Sequence, residues 1–184
     1  MIQAIEEKFL ADSSVDRIDS VFLFEQDHRV RAAIHLLKYS GAERIAEMFG
    51  IFIAKKIVND EKFSMSDIII PVPLHPARRR ERGYNQSELI ANSTSRGLGI
   101  PIECRLLERT RQTQTQTLFD AEGRKKNIAD AFSVKESFVG AAKGKNILLI
   151  DDVITTGSTV KECARVLKEN GAAEVYAASA AITI

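Results

Sequence analysis

Two adjacent carboxylates, Asp151 and Asp152, stand at the end of an apolar run and just ahead of a cluster of small hydroxylic residues. In the stretch ILLIDDVITTGST, residues 147–159, five apolar residues (Ile147, Leu148, Leu149, Ile150 and Val153) bracket the pair. Thr155, Thr156, Gly157, Ser158 and Thr159 follow. The apolar run predicts a buried strand, and the small residues predict a sharp turn into a helix capped by Ser158. Such a turn presents unpaired backbone N–H groups and the positive end of a helix dipole, which suits a phosphate. Two carboxylates beside that cradle would repel phosphate alone. They fit a sugar phosphate, with hydroxyls for the acids to grip and a phosphate for the turn.

A second feature is a local surplus of cations. From Pro76 to Lys126 there are eleven Lys or Arg against six Asp or Glu. Arg78, Arg79, Arg80 and Arg82 sit in a proline-rich segment, and Arg105, Arg109, Arg111 and Arg124 flank a Thr- and Gln-rich one. Guanidinium forks bind phosphate bidentately, so this is suitable chemistry for a pyrophosphate-like group. A solvated face or a nucleic-acid patch also fits an arginine run. Only Tyr84 and Phe119 offer aromatic stacking nearby, which is thin for a single-stranded DNA groove. His28 and His35 are seven apart, where a metal-binding pair on a helix prefers four, so they read as solvated or packing residues.

The elements that must carry these residues follow from periodicity. Ile2, Ile5 and Phe9 predict a short amphipathic helix over residues 2–10, and Val21 to Phe24 could form a strand. Val30, Ala33, Ile34 and Leu37 predict a helix from His28; Gly41 interrupts it, and Ile45 to Ile57 continue a helical pattern to about Val58. Asp67 to Val72 reads as a central parallel strand. Pro71, Pro73 and Pro76 predict a stiff, extended loop beyond it. Asn85 and Glu88 predict a capped helix to about Arg96. A short strand is expected near Ile102 to Leu107, then a long polar loop, then a strand near Phe132 and Val134. Lys143 to Lys145 form a turn into the acid-bearing strand. Val160, Cys163, Ala164 and Leu167 line the following helix, and Val175 to Ile184 form a last strand. Alternating strands and helices imply an α/β fold with ligands at the carboxyl ends of a parallel sheet.

Bulk properties narrow the class. With 184 residues, 45% hydrophobic content and a net charge of +1, the chain reads as one soluble domain with a small appendage. Cys104 and Cys163 lack CxxC spacing, which argues against a structural zinc site or a disulfide scaffold and for a reduced, cytoplasmic setting. No apolar run approaches a bilayer span, and MIQAIEEKFLAD does not read as a signal peptide, so no membrane partner is expected.

ILLIDDVITTGST resembles the phosphoribosyl-pyrophosphate (PRPP) signature of type I phosphoribosyltransferases along all its positions. PVPLHPARRRERGYNQSELIA, LERTRQTQTQTLFDAEGRKKNIADAF and LLKYSG resemble segments of the ComF-like branch, named for a protein of bacterial competence for DNA uptake. The resemblance covers roughly residues 21–184. It implies a type I phosphoribosyltransferase fold: a mainly parallel central sheet flanked by helices, with residues 1–60 as an N-terminal helical cap region and 61–184 as the core. It implies transfer of a phosphoribosyl group from PRPP with release of pyrophosphate, Mg²⁺ as cofactor, and an acceptor that the sequence does not identify. Asp151 and Asp152 would hold the ribose hydroxyls, and Thr155, Thr156, Gly157, Ser158 and Thr159 the 5′-phosphate. Val72, Pro73, Leu74 and His75, with Arg78 and Arg111, would meet pyrophosphate. Arg109 would act with the acids in catalysis, within a polar loop, Arg109 to Thr117, that closes over the sugar. Mg²⁺ would reach Asp151 or Asp152 through water, because it keeps most of its hydration and meets only one or two carboxylates. Many relatives pair as homodimers. Many ComF-like proteins also carry an N-terminal four-cysteine zinc module, and this chain has no cysteine before Cys104. Some purine-specific relatives place an Asp base where Thr155 stands, so that role does not carry over. A second reading keeps the PRPP or nucleotide pocket without turnover, in regulation or DNA uptake.

Overall fold

A computed structural model describes residues 14–25, 27–111 and 130–183. Four parallel strands make the main sheet: β1 (Arg17–Leu23), β2 (Ile68–Pro71), β5 (Asn146–Ile154) and β6 (Glu174–Ile182). Their spatial order is β1-β6-β5-β2. A separate antiparallel pair is formed by β3 (Leu107–Arg109) and β4 (Phe132–Val134). The helices are α1 (His28–Tyr39), α2 (Glu43–Ile57), α3 (Glu61–Ser64), α4 (Pro76–Arg82), α5 (Gln86–Leu98) and α6 (Ser158–Glu169).

The sheet is covered on both faces, which is why β5 and β6 read as continuous apolar runs. Ile147 and Leu149 of β5 join Val160, Cys163, Ala164 and Leu167 of α6 in one buried cluster. Leu148 and Ile150 face the other way, into a cluster with Ile34 and Leu37 of α1, Phe49 and Ile53 of α2, and Ile90 and Ala91 of α5. The helix that follows β2 in the sheet's second cluster and the helix that follows β5 therefore lie on opposite faces. Between the carboxyl ends of β2 and β5 this opens a crevice of the kind in which open α/β sheets bind ligands.

Local chemistry fixes the element ends. Asp27 caps α1, accepting a hydrogen bond from the Arg29 amide at 2.8 Å, and Gly41 with φ 60° separates α1 from α2. Asn85 caps α5, as its position predicts, and Gly99 closes it in the left-handed conformation. The edge strand starts earlier than the apolar residues suggest, at Arg17. Its polar side chains have partners: Arg17 meets Asp60 at 2.9 Å and Asp19 meets Lys56 at 2.7 Å. The region 1–60 thus contributes a sheet strand as well as helices.

Two expectations are corrected. The segment after β2 is not extended throughout, because Pro76 to Arg82 form α4. Proline disfavours helix only for its predecessor and is favourable at the first helical position. His75 remains non-helical and caps α4 through Nδ1, which accepts from the Ala77 amide at 3.2 Å. Ser158 is the first residue of α6, and the cap is Gly157, whose φ of 73° suits glycine. The helix expected over residues 2–10, and the polar loop beyond Arg111 with Phe119 and Arg124, lie outside the described residues.

Candidate functional site

The acid pair closes the apolar core of β5. The chain then passes Val153 and Ile154, turns through Thr155 to Gly157 and enters α6. Thr156 Oγ1 and Ser158 Oγ are 2.9 Å apart, which ties the turn to the helix start. The first amides of α6 have no intrahelical acceptor and point out of the helix. A shallow, solvent-open hollow is lined by Asp151, Val153, Ile154, Thr155, Gly157, Ser158, Thr159 and Val160. The hollow is thus shared by an acid and by the small hydroxylic residues at the start of α6.

The two acids sit in different surroundings. Asp151 Oδ1 accepts from Ser87 Oγ at 2.9 Å and from the Asp152 amide at 2.8 Å. Asp152, 4% exposed, turns toward α1, where its Oδ2 lies 2.9 Å from Lys38 Nζ. Its Oδ1 accepts from the Val153 amide at 2.8 Å. Burial, reinforced by the charge of Asp152, pushes the Asp151 carboxyl above its ordinary range; the Asp152 amide, Ser87 and Lys38 work against that shift. Burial alone would lower the Lys38 ammonium, but Asp152 and Asp151 outweigh it and hold Lys38 above its usual value.

Arg109 ends β3, with its guanidinium 5.3 Å from the centre of the Phe132 ring on the paired strand. Burial lowers its pKa, and the neighbouring Cys163 and Asp151 oppose that, so Arg109 lies within electrostatic reach of Asp151. Arg111 is exposed at the edge of the described segment.

On the other side, β2 pairs with β5 up to Pro71 opposite Ile150, so the segment Val72 to His75 emerges beside the acids. The Val72 amide donates to the Ile150 carbonyl at 2.9 Å, and Asn85 Nδ2 donates to the Val72 carbonyl at 3.0 Å. Val72 is buried, whereas Pro73, Leu74 and His75 are partly exposed. Arg78 meets Glu81 at 3.0 Å. The arginine run does not converge on one point: Arg79 pairs with Glu88 at 3.0 Å, and Arg105 lies 5.5 Å from the Phe138 ring centre.

The fold thus brings Asp151, the turn 155–159, Val72 to His75 and Arg109 to the same end of the sheet. Three residues that sequence reasoning did not assign to the site also belong there: Lys38, Asn85 and Ser87. Asn85 was legible only as a helix cap. Lys38 adjoins the apolar stripe of α1 and carries no spacing signal of its own, and the Ser87 bond to Asp151 spans 64 positions in sequence. Among the described residues no group of three or more His, Cys, Asp or Glu could hold a metal ion, and no helix is long and apolar enough to cross a membrane.

Residues 85–181 match the phosphoribosyl transferase domain. The chain belongs to that family, and its parallel sheet with flanking helices is the type I phosphoribosyltransferase architecture. Its relatives place it in the ComF-like branch. It is 37% identical over 145 residues to the DNA utilization protein YhgH of Shigella flexneri, a match covering 77% of this chain and 62% of that protein. It is 38% identical over 114 residues to competence protein F of Haemophilus influenzae, covering 62% of this chain and 49% of the relative. Among solved structures, a purine phosphoribosyltransferase from Pyrococcus horikoshii aligns with 72% of this chain and 71% of its own, at 20% identity and a TM-score of 0.44.

Proposed function

We propose that this protein binds PRPP and transfers its phosphoribosyl group to an acceptor, releasing pyrophosphate. The observation that carries this reading is that one hollow is lined both by Asp151 and by Thr155, Gly157, Ser158 and Thr159 of the turn into α6. A phosphate sits at the start of α6, and the ribose hydroxyls donate to Asp151, behind which Asp152 is held by Lys38. The pyrophosphate lies along Val72 to His75, with Arg78 and Arg111 nearest. In the reaction the acceptor's lone pair forms a bond to C1 of the ribose. The bond from C1 to the pyrophosphate oxygen breaks, and its electrons leave with pyrophosphate. The protein's part is positioning and charge: the acids fix the ring, and the cations, Arg109 among them, balance the departing anion.

Mg²⁺ fits the donor set in a limited way. Two carboxylate oxygens of the pair already hold Ser87 and Lys38, so Asp151 or Asp152 would meet the ion through water rather than as a chelating cluster. When bound, Mg²⁺ neutralises charge on the pyrophosphate. A homodimer and a cytoplasmic setting belong to the same reading.

The test is Mg²⁺-dependent release of pyrophosphate from PRPP across a panel of candidate acceptors. Release with at least one acceptor is expected. If PRPP binds and none supports release, the second reading takes its place: a PRPP- or nucleotide-binding protein with a regulatory role. The names of the relatives, which refer to DNA utilization and competence, favour such a role in DNA uptake, with DNA or uptake proteins as partners.

A further inference from the structure

A second hollow, about 150 Å³ and open to solvent, lies between the end of α1 and α4. Its walls are Lys38, Tyr39, Arg78, Glu81 and Arg82, and it shares no residue with the hollow at the phosphate turn. It adjoins the acid pair through Lys38, whose amine touches Asp152. Three cations thus face one acid.

The charges do not cancel evenly. Lys38 is matched by Asp152 and Arg78 by Glu81. Arg82 has neutral partners: Gln86 Oε1 accepts from its guanidinium, and the Tyr39 ring centre lies 5.6 Å away. Arg82 is partly buried, and its charge pushes against that of Lys38. A partly buried, pre-oriented guanidinium with no carboxylate partner, facing a solvent-open hollow, is a site for an anion. The walls are fixed relative to each other: Tyr84 donates its hydroxyl to the Leu37 carbonyl and accepts from the Gly41 amide at 3.1 Å, locking the end of α1 to the α4–α5 turn. Tyr39, 69% exposed, adds an aromatic face.

Two sources could supply the anion: the pyrophosphate of PRPP or an acid group on the acceptor. Arg78 lies in the first turn of α4, next to the segment assigned to pyrophosphate. Arg82 lies one turn further, roughly 6 Å along the axis and against α1. We propose that Arg82 is a specificity-determining residue and that this hollow takes a planar acceptor bearing an acid group, which the Arg82 guanidinium binds while the Tyr39 ring flanks the plane. The inference rests on the phosphoribosyl-transfer reading and names its substrate class.

The test uses the full chain with Mg²⁺ and PRPP, with orotate and nicotinate as acid probes and adenine and hypoxanthine as uncharged ones. The acids should support pyrophosphate release roughly tenfold or more faster, the worth of one charge-assisted hydrogen bond. Arg82→Gln should cut the acid-supported rate by a similar factor, on the order of tenfold, while the KM for PRPP stays within about twofold. Arg82→Lys should recover part of the rate. Equal rates with uncharged bases, or an unchanged rate in Arg82→Gln, would overturn the proposal. A parallel rise in the KM for PRPP would instead assign Arg82 to pyrophosphate and overturn it too. Should no probe turn over, orotate and nicotinate are titrated calorimetrically into the PRPP-loaded protein. Binding that Arg82→Gln removes supports the proposal, and its absence ends it. Failure of PRPP itself to bind the wild type would overturn the transfer reading instead.

Discussion

Asp151 and Asp152 are neighbours in sequence, yet one lines the hollow at the turn 155–159 and the other is buried against Lys38. This asymmetry has a thermodynamic signature. Burial raises the Asp151 carboxyl above its unfolded value, so the folded state holds a proton there that the unfolded state has released. Stability associated with Asp151 is therefore present below its unfolded pKa, about 3.9, and is lost as pH rises through the folded value. Asp151→Asn removes that loss. Relative to wild type it should be nearly neutral at pH 4 and more stable at pH 8, by about 1 kcal/mol or more, a rise in Tm of roughly 2–4 °C. Thermal unfolding at both pH values checks this; a variant less stable than wild type at pH 8 would contradict it. A ligand site that costs stability in this way is expected where binding energy later offsets it. The acids themselves were legible because their type and position are written in one contiguous stretch. Their partners were not, since Lys38 and Ser87 reach them only through helix placement.

At the scale of elements, the helical stripes of α1, α2, α5 and α6 were visible because periodicity reports which face is buried. α4 was not, because three prolines read as extended chain until the first helical position of Pro76 is recognised. The α2–α5 contact also lay beyond the pattern. Gly50 stands inside α2, where glycine is unfavourable, and the packing gives the reason. A Cβ there would lie 2.4 Å from Ser93 Cβ and 2.6 Å from the Ile90 carbonyl oxygen of α5. The close approach is reinforced by Ser93 Oγ, which donates to the Glu47 carbonyl at 2.9 Å. Gly50→Ala should destabilise the fold by roughly 1–3 kcal/mol despite its better helix propensity. Urea unfolding measures it, and stability equal to wild type would show that the helices separate at little cost. Because α5 carries Ser87 and is capped by Asn85, the same substitution should weaken the anchoring of Val72 and Asp151.

For the whole molecule, the parallel α/β class followed from apolar runs alternating with helices, but the strand order did not. Nothing local records that β5 lies between β6 and β2, and this order makes the crevice beside Val72. Nor does a list of apolar residues show that α5 and α6 take opposite faces, which sets the turn 155–159 and the segment Val72 to His75 on the two sides of one acid pair. The edge strand β1 was half legible, because its polar residues have partners in α2 and just beyond it. On the proposed function, the assembled site recognises a ribose carrying phosphate on both sides, with the acid pair between them. The most direct measurement is PRPP-induced thermal stabilisation of the wild type and of the double variant Asp151→Asn, Asp152→Asn. At about 100 times the dissociation constant, PRPP should add roughly 2.7 kcal/mol to the wild type, a rise of about 5–10 °C. The double variant, folded by circular dichroism, should show no rise; stabilisation equal to the wild type would contradict the account.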